Sequence, residues 1–283
     1  MEQISFDHRR QNRRYLIFRP PAVVEAPAVV VFLPGTGGTA EWTAHETKLP
    51  AFAAEQGFVL VVPEALRPRP DQPPKFLTNP PRWNDGSPAA NAELQTDADD
   101  VDFLTHVFTD AINRTGADPR RISLTGFSNG AGMTFRFAAE RPDLVAAIAP
   151  VAGHCWVPPQ VISKPVPTLY IIGSQDPLLP YRGGTVELPW GNKLIQRPPV
   201  VRTLERWAAV NSCSTASVLD VDAAGIREEV FPGPVEFRSI TVDGLGHHWP
   251  GGEGQFNRRI GGPPSDRLDA NRRIWDFFQR YSL

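Results

Sequence analysis

The sequence predicts an α/β protein: a mostly parallel central sheet with helices on both faces. Short, continuously apolar runs recur along the 283 residues, as strands buried on both sides require. Between them lie segments whose apolar residues repeat at three- and four-residue steps, as helices require. The 30 prolines and 23 glycines are too many for a bundle of long helices. No repeat or low-complexity linker divides the chain, so one domain is expected over residues 1–283.

In chain order, Arg14 to Phe18 alternates and reads as a strand near an edge, paired with Ile4 to Phe6 as a hairpin. Ala28 to Leu33, Phe58 to Val62, Ile122 to Thr125, Ala146 to Val151 and Thr168 to Ile172 are the continuous runs. Val235 to Val242 alternates again and is expected nearer the other edge. The helices are a segment carrying Val101, Leu104, Phe108, Ala111 and Ile112 that stops at Gly116, then Asn129 to Glu140, Val200 to Val210 and Leu268 to Tyr281. Prolines crowd two loops, Pro63 to Pro88 and Pro177 to Pro199. Both follow strands and so leave the sheet at its C-terminal edge, where open α/β folds bind ligands.

Composition narrows the function. Basic and acidic residues nearly cancel, 29 against 31, so the basic surplus of a nucleic-acid or anionic-membrane binder is missing. Two cysteines exclude a disulfide-rich scaffold and four-cysteine zinc sites. The N-terminal residues contain no apolar signal core and no stretch nears the ~20 apolar residues of a membrane span, so a cytoplasmic protein is expected.

The chemistry centres on Gly126-Phe127-Ser128-Asn129-Gly130, placed between a strand and a helix. At such a turn the glycines make room for a strained serine, and the helix N-terminus favours a developing oxyanion. The plain alternative is a serine capping the helix. A serine hydroxyl needs a base. Of six histidines, His247 follows the Val235 to Val242 strand within GLGHHWPGG and is the best placed, with His248 a neighbour without a catalytic task. His8 belongs to a hairpin turn, and His106 faces away from its helix's apolar stripe. The imidazole needs an acid. Asp176, in GSQDP after the Thr168 to Ile172 strand, suits the order Ser, Asp, His, whereas Asp243 still belongs to a strand.

Two backbone amides must hold the oxyanion. Asn129 supplies one and Thr36, in PGTGGTA, the other, with Gly37 next in line. That glycine-rich loop lacks the lysine and spacing of a phosphate cradle, and no residue cluster suggests a metal; no cofactor is expected. Trp83, Trp156, Trp190 and Trp249 fall on loops at the same edge and are candidates for lining the substrate, as are His154 and Cys155.

PGTGG, RWNDG, DDVDFL, GFSNGAGM, GSQDP, GHHWPGG and IWDFF occur in one order along Arg14 to Tyr281. In this the chain resembles the polyhydroxybutyrate depolymerase-like esterases, with their feruloyl-esterase and acetylxylan-esterase relatives. The resemblance implies an α/β-hydrolase fold and a serine esterase using Ser128, Asp176 and His247, acting on a small or oligomeric ester. It also implies structural or substrate-lining roles for Trp83, Asn84 and Asp100. Two departures stand out: Pro34 precedes Gly35 where relatives carry histidine, and VFPGPVEF lacks the cysteine that secreted relatives pair with the equivalent of Cys213. The first alters loop packing; the second agrees with a reducing compartment. A peptidase or amidase with the same triad is the alternative activity. A catalytically silent binding protein would need a missing triad member, and none is missing.

Overall fold

In the computed structural model the five continuous apolar runs become neighbours within a ten-stranded sheet. The structure describes every residue except 23, 89–97, 159, 162–163, 190–192, 216–217 and 223–224. The strands are β1 (Glu2–His8), β2 (Gln11–Phe18), β3 (Val29–Leu33), β4 (Val59–Pro63), β5 (Ile122–Phe127), β6 (Ala147–Val151), β7 (Thr168–Gly173), β8 (Gly184–Glu187), β9 (Leu194–Arg197), β10 (Val218–Val221), β11 (Ile226–Phe231) and β12 (Phe237–Val242). The sheet order is β1-β2-β4-β3-β5-β6-β7-β12-β11-β10. From β4 to β12 the pairing is parallel, and antiparallel strands close both ends.

Every residue of β3, β4, β6 and β7 is buried, which explains runs without alternation: each face is covered. The predicted N-terminal hairpin is β1–β2. The Val235 to Val242 stretch lies deeper than expected. As β12 it sits beside β7 and is almost wholly buried, because the β10–β11 hairpin extends the sheet beyond it.

The β6–β7 ladder has a gap in its bonding. Ile148 N donates to Pro167 O at 2.9 Å and Ala152 N to Ile171 O at 2.8 Å. The donor between them in a parallel ladder would be residue 150, a proline with no N–H.

The helices are α1 (Ala40–Thr47), α2 (Leu49–Gln56), α3 (Asp100–Thr115), α4 (Asn129–Glu140), α5 (Val200–Val210), α6 (Arg258–Gly261) and α7 (Ala270–Phe278). Asp99 caps α3 by accepting from Asp102 N at 3.1 Å, and Gly116 ends it in the left-handed conformation. Phe108–Phe137 and Phe135–Trp207 contacts, with centroids 4.9 and 5.0 Å apart, tie α3, α4 and α5 into one layer. On the other face, Asn271 of α7 donates to Thr47 O of α1 at 2.7 Å, and Trp275 stacks on Phe58 beside β4. The loop from Pro177 to Pro199 is more ordered than its prolines imply, since β8 and β9 pair within it. Among the described residues no helix is long and apolar enough to cross a membrane.

Candidate active site

β5 delivers Ser128 to the C-terminal edge of the sheet, where the chain turns into α4. Ser128 has φ 57° and ψ −117°, a left-handed strained backbone for a residue with a side chain. The turn closes only because its flanks are glycine. A Cβ on Gly126 would stand 2.5 Å from Gly130 O, and one on Gly130 would stand 2.0 Å from Leu33 O. The Ser128 side chain makes no capping bond to α4, so the helix-cap alternative does not describe it.

His247 and Asp176 come from loops after neighbouring strands, β12 and β7. The His247 Nδ1 lies 2.6 Å from Asp176 Oδ2, and both residues are buried. Asp176 Oδ1 accepts from the amides of Leu178 and Leu179 at 2.9 and 2.8 Å, which fixes the carboxylate's direction. A carboxylate there keeps the proton on Nδ1 and leaves the Nε2 lone pair for a hydroxyl. The imidazole rests on Phe127, centroids 4.7 Å apart, and His247 lines the same cleft as Ser128. His248 is held elsewhere: its Nε2 donates to Gly262 O at 2.9 Å, and burial lowers its pKa.

Thr36 lines the space over Ser128 on both sides, and Asn129 lines one side. Asn129 is the first residue of α4, so its amide has no partner within the helix. Gly37, the alternative donor, is already committed: its amide donates to Pro81 O at 2.8 Å. The Asn129 side chain holds Trp83, with Oδ1 accepting from Trp83 N at 2.7 Å and Nδ2 donating to Trp83 O at 3.1 Å.

Two spaces meet at Ser128. The larger, about 550 Å³, is mainly apolar and includes His247, Trp42, Phe76, Trp249 and Phe256. The smaller, about 60 Å³, is polar and lies toward Asn129, with Arg82, Asp85, His154, Trp156 and Arg197 among its walls. Both proline-rich loops contribute walls: the first supplies Phe76 and Arg82, the second Leu178 and Arg197.

The tryptophans separate. Trp156 lines the small pocket and Trp249 the large cleft, where its Nε1 donates to Asn271 Oδ1 at 2.9 Å. Trp83 is a correction. It is 1% exposed and lines neither space, because its indole donates to Pro34 O at 2.9 Å and packs into the core. Pro34 therefore anchors this ring through its carbonyl. Trp190 lies outside the described residues. Asn84 and Asp100 brace rather than line: Asp100 Oδ2 accepts from Asn84 N, and Oδ1 from buried Arg13, both at 2.8 Å. Burial still pushes the Asp100 carboxyl upward despite that guanidinium. Cys155 and Cys213 are unpaired, and burial pushes the Cys155 thiol up to about 12.

Sequence reading passed over Arg82, Asp85, Arg197 and Glu46. Glu46 of α1 accepts from Gly254 N at 2.8 Å and Gln255 N at 3.1 Å, tying two walls of the large cleft together. Arg82 and Asp85 flank Trp83 and Asn84 within RWNDG, where the tryptophan and asparagine drew the attention. Arg197 and Glu46 reach the site from separate segments with no recognisable spacing.

Comparison with known proteins bears on the family and the fold. Residues 21–197 match the family described as Phospholipase/Carboxylesterase. The chain is 30% identical over 278 residues to the putative esterase NocK of Nocardia uniformis subsp. tsuyamanensis, across 91% of this chain and 75% of that protein. It is 26% identical to feruloyl esterase B of Piromyces equi across 91% of its own length, yet spans only 42% of that relative. Among solved structures, the acetyl xylan esterase from Aspergillus awamori superposes with a TM-score of 0.65 over 99% of both chains, at 17% identity. An S-formylglutathione hydrolase from Agrobacterium tumefaciens gives 0.59 over 98% of this chain and 94% of that one, at 15% identity. These two similarities concern the fold.

Proposed function

The chain belongs to the phospholipase/carboxylesterase family, and on that premise we propose that Ser128, His247 and Asp176 carry out its serine carboxylic ester hydrolysis. The observation that supports these roles is the 2.6 Å contact between His247 Nδ1 and Asp176 Oδ2, in a cleft shared with a serine whose hydroxyl is not spent on capping.

Ser128 Oγ attacks the ester carbonyl while His247 Nε2 takes its proton. The carbonyl oxygen becomes an oxyanion held by the Thr36 and Asn129 amides, with the positive end of α4 behind it. Collapse breaks the C–O bond, and His247 returns the proton to the leaving alcohol. Water then enters, His247 removes its proton, and the acyl-enzyme is released as acid with Ser128 regenerated. Asp176 orients the ring through Nδ1 and stabilises the imidazolium.

The two spaces divide the substrate. His247 must reach the leaving oxygen, so the alcohol occupies the large apolar cleft that His247 lines. The acyl substituent then occupies the small pocket of about 60 Å³, which takes only a few heavy atoms. This supports short-acyl esters of bulky apolar alcohols. The name of the Aspergillus awamori structure specifies an acetyl ester, and that is the size of acyl group this pocket suits. A feruloyl group, named for the Piromyces relative, is larger.

Benzyl acetate and p-nitrophenyl esters of increasing acyl length test the reading, with the alcohol released as the readout. Turnover is expected to fall as the acyl chain lengthens. Ser128→Ala is expected to lose at least about a thousandfold in kcat. A pure Ser128→Ala protein with wild-type turnover would overturn the assignment.

A further inference from the structure

The small pocket contains a guanidinium that, among the described residues, is met by carboxylates only at a distance: Asp85 and Asp176 act on Arg197 through space, and burial outweighs them. Arg197, on β9, is partly buried and lines the pocket together with Ser128. Its Nε is buried without a hydrogen-bond partner, and among the described residues no carboxylate hydrogen-bonds the guanidinium. Leaving a desolvated cation unpaired is costly, so such a group commonly waits for a ligand.

The other charged groups around it are accounted for. Arg82 donates to Ser87 Oγ at 2.8 Å, and Ser87 Oγ donates to Asp85 Oδ1 at 2.6 Å. The Ser87 amide also donates to Asp85 Oδ1, at 3.1 Å. Asp85 is thus the one carboxylate shared by two guanidinium groups, Arg82 through the Ser87 hydroxyl and Arg197 through space, which leaves the pocket wall with a positive charge in excess. Asp176 is turned away, bound to His247 and to the Leu178 and Leu179 amides.

His154 adds a second open donor. Thr203 Oγ1 accepts from Cys155 N at 3.2 Å and lies 2.9 Å from His154 Nδ1. Among the described residues the Thr203 hydroxyl hydrogen has no acceptor other than Nδ1, and donating it there places the imidazole proton on Nε2. That Nε2 is buried and has no partner, and His154 lines the same pocket. Burial first, and then the Arg197 charge, hold His154 down at about 3, so the ring is a neutral donor. The pocket therefore presents a fixed cation, a neutral N–H and the two oxyanion amides.

We propose that this pocket is an anion-binding acyl site, so that the preferred substrates are esters whose short acyl group ends in a carboxylate received by Arg197 and the His154 Nε2–H. The proposal rests on the ester-hydrolase reading of Ser128 and adds the chemical class of the acid half. An Arg–carboxylate contact out of bulk water is strong and directional. It also places the acyl carbon over Ser128 with the alcohol pointing along the apolar cleft.

The test compares half-esters with neutral isosteres of the same shape. Monobenzyl malonate and monobenzyl succinate are set against benzyl 3-methylbutanoate and benzyl 4-methylpentanoate, with benzyl alcohol release as the readout. At low salt, kcat/KM for at least one half-ester is expected to exceed that of its isostere about tenfold or more, and the ratio should shrink as sodium chloride is added. In Arg197→Met the ratio should collapse toward one, chiefly through a higher KM for the half-ester, and Arg197→Lys should restore part of it. An absent preference in the wild-type enzyme would sink the proposal, even if Arg197→Met proved insoluble. A preference that survives Arg197→Met would do the same. So would a preference for 4-(acetoxymethyl)benzoate over benzyl acetate, since that places the anion on the alcohol side. Failure of the underlying reading looks different: Ser128→Ala would then hydrolyse all these esters as fast as wild type.

Discussion

Asn129 is bound through both polar atoms of its side chain to the backbone of one residue, Trp83, at 2.7 and 3.1 Å. The residue whose amide is proposed to hold the oxyanion is therefore fastened by its own side chain to a loop forty-six positions away. Asn129→Ala would leave the Trp83 N–H and C=O unpaired in a buried setting. A loss of roughly 2–5 kcal/mol in folding stability is expected from two unsatisfied groups. Chemical denaturation reads that loss, and kcat should fall more than KM rises because the oxyanion amide loses its support. A variant with unchanged stability would show that the clasp carries no load.

Asp176→Asn should leave the fold nearly intact and slow the chemistry severely. The amide oxygen can still accept from Leu178 and Leu179, whose N–H groups now meet Oδ1 at 2.9 and 2.8 Å. Its NH₂ would then face His247 Nδ1 and favour the tautomer with the proton on the wrong nitrogen. A fall in kcat of about 10³–10⁴ is expected, with a thermal midpoint close to wild type.

Two glycine substitutions should separate steric collision from backbone strain. Gly130→Ala places a methyl 2.0 Å from Leu33 O, inside the junction of β3 with the serine turn. It should prevent soluble expression or remove several kcal/mol of stability. At Gly116, with φ 64°, a Cβ meets nothing within 4 Å. Gly116→Ala should cost only about 1–2 kcal/mol from the left-handed conformation, read as a modest drop in melting temperature.

The acid limb of stability should depend on His154. Its imidazole is held down from 6.5 to about 3 in the folded protein. As pH falls below 6.5 the unfolded chain takes up a proton that the folded one refuses, so stability decreases until the pH nears 3. Between pH 7 and pH 5 this amounts to about 2 kcal/mol. His154→Gln should lose correspondingly less stability over that interval in urea titrations at the two pH values. An unchanged difference would mean that His154 titrates normally in the fold.

The central strands and the serine turn were legible because each obeys a local rule. β3 and β4 are unbroken apolar runs and β5 to β7 are nearly so, and two glycines flanking Ser128 mark a turn that no bulkier residue permits. His247 and Asp176 were legible through chain order, since each follows a readable strand. Other features depend on tertiary context. α1 hides Thr43, Glu46 and Thr47 rather than an apolar stripe, so its helical period gives no signal. β11 reads Ile-Arg-Glu-Glu-Val-Phe and carries charges in ion pairs such as Arg238–Glu228, at 2.8 Å, which no alternation rule anticipates. Trp83 was misplaced because a loop tryptophan at the right edge can still turn inward when its N–H finds a carbonyl, here that of Pro34. Arg197 was invisible as a single basic residue in a proline-rich loop, and only the folded β8–β9 hairpin brings it beside Ser128.

Ser128 stands on β5, while His247 and Asp176 stand on β12 and β7, and the strand between the two groups is β6. The proline in that strand therefore places the sheet's missing rung between Ser128 and the His247–Asp176 pair. Each half keeps its own continuous ladder, β3 to β5 on one side and β7 to β12 on the other. A small opening along this seam would carry the imidazole away from the hydroxyl while both halves stayed folded. Mild denaturant should accordingly silence esterase activity at concentrations where the far-ultraviolet circular dichroism is still native, and coincident loss of the two signals would place the weakest line of the molecule somewhere else. On that expectation the proline divides the proposed catalytic residues between two pieces of sheet that meet at a joint.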